Sequence, residues 1–324
     1  AMAFAVGGEY SGILIFLTES GPQGRRGLTA SLAPATSGLG ALIAVGLSAA
    51  LTAGLDQHQL DTWGWRIPFF FGALLAAAVL ISRRMLSETP VFRRMQAGGQ
   101  VIAHPVRSVL QRAPMSVVAA FVLSAVGSVS YYLCLTYVPT YLHEVVHVSD
   151  STALWWSTIA TVVLVLTTPL FGTVADRYGT RASLTATAVC YVIAVVPLFG
   201  ALTVGMVTAF LATIGLALVA GAWSAMAASA IPEIFEVWQR FSGIAIGYNL
   251  AVAILGGTTP LLATLLIEAT GARWSPALLL IAVALLAGVP QFVGIFGPPA
   301  RNRPWSAPGG VSEAPKSVGT RVLD

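Results

Sequence analysis

The sequence predicts an all-α polytopic membrane protein, and three observations carry that prediction. Of its 324 residues, 56% are apolar and only 9% are charged, with a mean hydropathy of +0.81. A soluble chain carries about 25% charged residues, so too few charges remain here to coat a water-facing surface. The apolar residues also fall in runs long enough to cross a bilayer, which takes about 20 residues per helix. Finally, these runs do not alternate every second residue, as the strands of a membrane barrel must. A soluble enzyme, a nucleic-acid-binding protein and a disordered chain are excluded on the same grounds.

Apolar runs and their punctuation give nine spans, at 1–18, 28–54, 64–84, 114–142, 152–175, 181–201, 203–230, 239–267 and 274–297. The stretch 182–232 has no charged residue and is about twice the length of one span. It is divided near Gly200–Gly205, where Gly, Thr and Gly suit a tight turn. Residues 1–85 form a three-helix unit, 86–113 a basic linker, 114–297 a six-helix bundle, and 298–324 a Pro-, Gly- and Ser-rich tail expected to be disordered. Pro34, Pro169, Pro197 and Pro260 lie inside spans and are candidate kinks. Gly8/Gly12 and Gly243/Gly247 are small-residue pairs suited to close helix packing. Cys134 and Cys190 both lie in apolar segments, which gives no disulfide framework and no zinc cluster.

Loop charge orients the chain. Alternate loops and the tail hold 15 of the 17 basic residues, leaving only Arg66 and Arg273 for the other side. The positive-inside rule makes the basic side cytoplasmic, so the C-terminus is expected in the cytoplasm and the first residue outside.

Two of the basic loops resemble each other. Glu19 and Glu233 lie 214 residues apart, each followed seven residues later by an arginine (Arg26, Arg240) and then by a Gly near the opening of an apolar helix. Parallel repeats of this kind build many transporters. The second unit holds six spans and the first only three, so about three helices, roughly 100 residues, are expected ahead of Ala1. The alternative is a complete nine-helix protein.

Gly172-Thr-Val-Ala-Asp176-Arg177-Tyr-Gly179-Thr-Arg181 resembles the G-x-x-x-D-R-x-G-x-R loop of the major facilitator superfamily. Gly7-Gly-Glu9-Tyr10, Trp63-Gly-Trp-Arg-Ile-Pro-Phe69, Glu88-Thr-Pro-Val-Phe92, Tyr137-Val-Pro-Thr-Tyr-Leu142 and Ser242-Gly-Ile-Ala-Ile-Gly-Tyr-Asn249 are together similar to the metabolite:proton symporter family. The likeness is to its proline/betaine and citrate or α-ketoglutarate members and runs from about residue 5 to 297. It implies a major facilitator fold lacking its first three helices, with the nine spans standing for helices 4–12. Thr180 replaces a usual basic residue, and the family's P-E-T pattern is missing after Phe296. The resemblance makes the first, fourth and seventh spans here line the cavity.

Glu9 is the only carboxylate deep inside a span, nine residues before Thr18 and so near the midplane. An ionised carboxylate is costly there, and a group that trades a proton with its surroundings is what proton-coupled transport needs. The alternative is a protonated glutamate that only bonds a neighbouring helix. The repeat sets Trp223 opposite Glu9, where its ring could stack on a substrate or simply pack helices. Asn249 brings an amide to mid-membrane, and Tyr131 and Tyr132 lie deep enough in their span to meet substrate, whereas Tyr141 fits an interfacial anchor. Asp176, Arg177 and Arg181 read as gate residues, joined by Arg25, Arg26, Glu233 and Arg240 from the repeated loops. By resemblance, Asp176 meets the helix that opens near Arg26–Leu28 and latches the two halves; the alternative is a solvated loop that only sets topology.

His143-Glu-Val-Val-His147 matches the zincin H-E-x-x-H pattern. It stands where a span leaves the membrane, and its possible third ligands, Asp150 and Glu268, are both at loop ends. The expected function is therefore symport of a proton with a small polar metabolite, either a betaine- or proline-like zwitterion or a di- or tricarboxylate. Alternating access in the cell membrane is the implied mechanism, with the lipid bilayer as surroundings and neither cofactor nor nucleic acid involved. A non-transporting fragment or partner subunit is the first alternative, and a membrane zinc protease the remote one.

Overall fold

A computed structural model describes residues 2–22, 24–85, 93, 96–97 and 105–292, and every described regular element is a helix. In order they are α1 (Met2–Ser20), α2 (Arg26–Gly54), the short α3 (Gln57–Thr62), α4 (Ile67–Met85), the short α5 (Pro105–Arg112), α6 (Pro114–Tyr131), α7 (Val138–Glu144), α8 (Asp150–Tyr178), α9 (Thr180–Ala201), α10 (Met206–Ile234), α11 (Arg240–Ala251), α12 (Thr259–Thr270) and α13 (Ala277–Phe292). Helices are the natural outcome, because an apolar segment in lipid must satisfy every backbone N–H and C=O within itself.

Among the described residues, seven stretches are long and apolar enough to cross a membrane: Arg26–Ser48, Gly64–Ser82, Pro114–Glu144, Ser151–Tyr178, Thr180–Ala201, Met206–Ile234 and Arg240–Thr270. With α1 and α13 they occupy the positions of the nine expected spans. The expected division of the long uncharged stretch also stands, since α9 ends at Ala201 and α10 begins at Met206. The tail and most of the linker lie outside the described residues. Part of the expected linker is in fact α5, whose fully buried Val109 packs the helix against α6 and α11.

Two spans change to π-helical geometry midway, the second of them beside the candidate kink at Pro260. The fourth passes from α6 to α7 through a π-helical segment, Tyr132–Tyr137, and the eighth from α11 to α12 through another, Val252–Gly256. In both cases a proline stands in the first turn of the resumed helix, Pro139 in α7 and Pro260 in α12. A proline ring collides with the carbonyl four residues back and cannot donate to it. Those carbonyls belong to Leu135 and Gly256, inside the two π segments, so the helix widens there instead of breaking outright. Pro34, Pro169 and Pro197 by contrast lie within helices assigned as unbroken.

α10 sits at the centre of the bundle, packed by α8, α9, α6 and α2. Its buried residues are mostly small, including Ala209, Ala212, Ala217, Ala220, Gly221 and Ala225. Small side chains let helix backbones approach closely where no water is available to drive association. α2 is held between α8 and α10, and so carries the main contact between residues 1–85 and the rest. α4 presents Phe69, Phe70, Leu74, Leu80 and Ile81 as an exposed apolar face.

Candidate functional site

The two parts of the chain meet at the end that carries the basic loops, through two polar ties. The first is Asp176, near the end of α8. Its Oδ1 accepts the Gly27 backbone N–H at 2.6 Å and its Oδ2 the Leu28 N–H at 2.9 Å. Both amides lie in the opening turn of α2, where four backbone donors have no partner in the helix and the helix dipole favours an anion. A Cβ at Gly27 would lie 2.5 Å from the Gly172 carbonyl oxygen, and one at Gly172 would lie 2.6 Å from that of Gly27. The two backbones touch, so the glycine that opens the G-x-x-x-D-R pattern is what brings the carboxylate within reach of α2.

The second tie joins Glu19, at the end of α1, to Arg240, which opens α11, with 3.1 Å between Oε1 and Nη1. Glu19 is 7% exposed and Arg240 22% exposed, so water screens the pair only in part. Arg240 also donates through Nε to the Pro232 carbonyl at 3.0 Å and the Phe235 carbonyl at 3.3 Å. A guanidinium there satisfies carbonyls that the end of α10 leaves open. One side chain thus holds α10, α11 and α1 together.

The remaining gate candidates do not join this contact. Arg25, Arg26, Arg177 and Arg181 are exposed, and none forms an ion pair among the described residues. Arg177 lies over the ring of its neighbour Tyr178 at 5.4 Å. Asp176 needs no arginine because the backbone supplies its donors. Glu233 accepts from the Thr180 hydroxyl at 3.4 Å, so the threonine that stands where a basic residue is usual contacts an acid of the repeated loop. The repeat is used asymmetrically: Glu19 pairs with Arg240, whereas the matching Arg26 points into the open.

Deeper in the bundle, Tyr10 of α1 stacks on Tyr248 of α11, with ring centroids 4.3 Å apart and planes 15° from parallel. This contact also crosses between the two parts of the chain. Tyr131 and Tyr132 meet edge to face at 5.8 Å. Asn249 is half-buried and donates to the Ala245 carbonyl at 2.7 Å. Glu9 stands on α1 beside Tyr10, and its side chain is exposed. The neighbouring Gly8 and Gly12 face Phe241 of α11 instead.

Trp223 requires a correction. It is 0% exposed, donates through Nε1 to the Leu123 carbonyl at 3.1 Å, and meets Tyr191 edge to face at 5.9 Å. No part of the ring is left for a substrate, so Trp223 is a packing residue that binds α10 to α6 and α9. Tyr141 is likewise buried, and its hydroxyl donates to the Arg273 carbonyl at 2.9 Å rather than marking an interface. The H-E-x-x-H match fails on backbone geometry. α7 ends at Glu144, and His147 has a φ of 62°, so the two histidines do not share a helix face. No group of three metal-ligating side chains that could hold an ion occurs among the described residues.

Two contributors were missed by sequence reasoning. Tyr10 and Tyr248 each stand beside a residue that was singled out, Glu9 and Asn249, and the signal for them was an aromatic at mid-span depth in two spans that face each other.

The model of the Major Facilitator Superfamily matches this chain twice, over residues 1–233 and 142–323. The chain belongs to the major facilitator superfamily. It is 28% identical over 319 residues to the glycine betaine/proline/ectoine/pipecolic acid transporter OusA of Dickeya dadantii, covering 94% of this chain and 62% of that one. It is 31% identical over 281 residues to the citrate-proton symporter of Klebsiella pneumoniae, covering 84% and 62%. The chain therefore spans less than two thirds of the length of these relatives. Among solved structures, the proton:xylose symporter XylE bound to 6-bromo-6-deoxy-D-glucose superposes with a TM-score of 0.70 at 18% identity, over 89% of this chain and 67% of that one. That likeness is one of fold: a major facilitator bundle in a multi-pass membrane protein.

Proposed function

We propose that this chain is the greater part of a proton-coupled symporter that moves a small polar metabolite by alternating access, with the basic-loop side in the cytoplasm and the bilayer in the cell membrane. The observation that carries the reading is the Asp176 clamp on the first turn of α2, together with Glu19–Arg240 beside it. Alternating access needs contacts between two bundles that close one side and can be given up when the other side closes. A bidentate carboxylate on backbone amides and a partly wet ion pair have that character, because neither is a packed apolar core. The central site lies above them, among Tyr10, Tyr248, Tyr131, Tyr132 and Asn249. The names of the relatives, a betaine and proline transporter and a citrate-proton symporter, supply the substrate classes.

Glu9 is the proton carrier in this reading, because it is the one acid at mid-span depth in the chain. The experiment is Glu9→Gln in the complete gene product reconstituted into vesicles. An amide keeps hydrogen bonding but cannot cycle charge, so substrate exchange is expected to persist while uphill accumulation is lost. Unchanged proton-driven accumulation in the variant would make Glu9 structural.

A further inference from the structure

The turn that delivers Arg240 is built unlike the turn it repeats. Offset by 214 residues, Glu19-Ser-Gly21-Pro-Gln-Gly24-Arg-Arg26 aligns with Glu233-Ile-Phe235-Glu-Val-Trp238-Gln-Arg240. Both glycines of the first turn are aromatic in the second. Gly24 has a φ of 84°, a conformation that few residues other than glycine adopt, and the Arg26 that follows is exposed. In the second turn Phe235 is fully buried and fills the space beside Gly243 of α11, where a Cβ would run into its ring. Trp238 donates through Nε1 to a Glu236 carboxylate oxygen at 2.8 Å, and the Glu236 carbonyl accepts the Gln239 and Arg240 N–H groups at 2.9 and 3.2 Å. Glu236 thus fastens the turn with both its side chain and its backbone.

The same turn is held from the linker. α5 ends at Arg112, whose guanidinium carbon lies 5.9 Å from the centroid of the Trp238 ring, within cation–π reach. Arg112 forms no ion pair among the described residues. The buried Val109, one turn earlier, packs α5 on α11 itself. Arginine is a long side chain, and fixing its rotamers costs entropy. The Pro232 and Phe235 carbonyls that accept from the Arg240 Nε fix it only while the turn keeps them in place. A stiff turn therefore aims Nη1 at Glu19, and a loose one leaves the arginine in the open, as Arg26 is.

We propose that Arg112, Glu236 and Trp238 are positioning residues for the Glu19–Arg240 tie: the linker helix α5 clasps the turn 235–239 and thereby aims Arg240 at α1. This rests on the transport reading above, in which that tie closes the basic-loop side. The test is a double-mutant cycle on the complete gene product in vesicles, read by labelling of Ser242→Cys from the basic-loop side with Cys190 replaced. Arg112→Gln is expected to raise the labelling rate about two- to fivefold, the worth of one exposed cation–π contact. Trp238→Ala, which also loses the bond to the Glu236 carboxylate, is expected to raise it roughly tenfold. Trp238→Phe keeps a ring under Arg112, falls between the parent and Trp238→Ala, and serves as the folding control. In a Glu19→Gln background the tie is already gone, so neither Arg112→Gln nor Trp238→Ala is expected to change the rate by more than about twofold. Rises as large in that background as in the parent would mean only local loosening of the turn and would overturn the assignment, as would a parent rate that neither substitution moves. The labelling cycle needs no substrate, so it stands or falls separately from the proton-driven uptake that tests the transport reading.

Discussion

Asp176 and Gly27, 149 residues apart, meet at 2.6 Å through a carboxylate oxygen and a backbone N–H, at a point where their helices are in backbone contact. The carboxylate closes the open end of α2, and it does so from the far end of α8. A contact of this kind ties a local need of one helix, its unsatisfied first turn, to the relative position of α2 and α8.

Asp176→Asn is expected to weaken the closed basic-loop side. The amide keeps one acceptor but loses the charge and the second acceptor, a loss of about 1–2 kcal/mol for a part-buried site. That shifts a two-state ratio by roughly tenfold. Labelling of a cysteine at Ser242, which is 8% exposed in the first turn of α11, reports it. The exposed Cys190 is replaced first. Labelling from the basic-loop side rises if Asp176 is a latch; an unchanged rate makes it only a marker of topology.

Glu19 and Arg240 are expected to be unequal partners. Glu19→Gln removes one ion pair, a loss of about 1–3 kcal/mol in a partly buried setting. Arg240→Ala also strands the Pro232 and Phe235 carbonyls, so it costs more and lowers thermal stability as well. In the exchanged pair Glu19→Arg with Arg240→Glu, activity recovers only partly, because a glutamate cannot donate to those carbonyls. Equal effects of the two single variants would show that the carbonyl bonds contribute nothing.

At the helix contact, Gly172→Val is expected to force α8 from α2. The added side chain meets the Gly27 carbonyl and Ser31, and overpacking of this kind costs about 1–3 kcal/mol. The readout is increased labelling at Ser242 together with a lower Tm. A Val variant that labels and melts like the parent would show that the backbones are not held together here.

Much of this was legible in the sequence for a simple reason. Lipid leaves a chain few options, so apolar length and the side on which arginines fall give the spans and their order. The Asp176 contact was legible through the resemblance of Gly172–Arg181 to the superfamily's loop, which implied that Asp176 meets the helix opening near Arg26–Leu28. What was not legible has physical causes too. α10 is apolar on every side, so no face distinguishes a cavity residue from a packing residue, and Trp223 could not be assigned before its burial was known. The repeat shows which residues are alike and not which ones touch, so Glu19 and Arg240 were both marked but their pairing was not. The π segments depend on how a span accommodates Pro139 and Pro260 against its neighbours, which sequence periodicity does not record.

Proton-driven accumulation by the complete gene product in sealed vesicles tests the central claim most directly. Labelled zwitterions and di- and tricarboxylates are offered with and without an imposed proton gradient, and a protonophore is then added. The account predicts that at least one is accumulated above its outside concentration only while the gradient lasts, and that the protonophore releases it. Equilibration of every compound to the outside level, or accumulation that the protonophore leaves untouched, would contradict it.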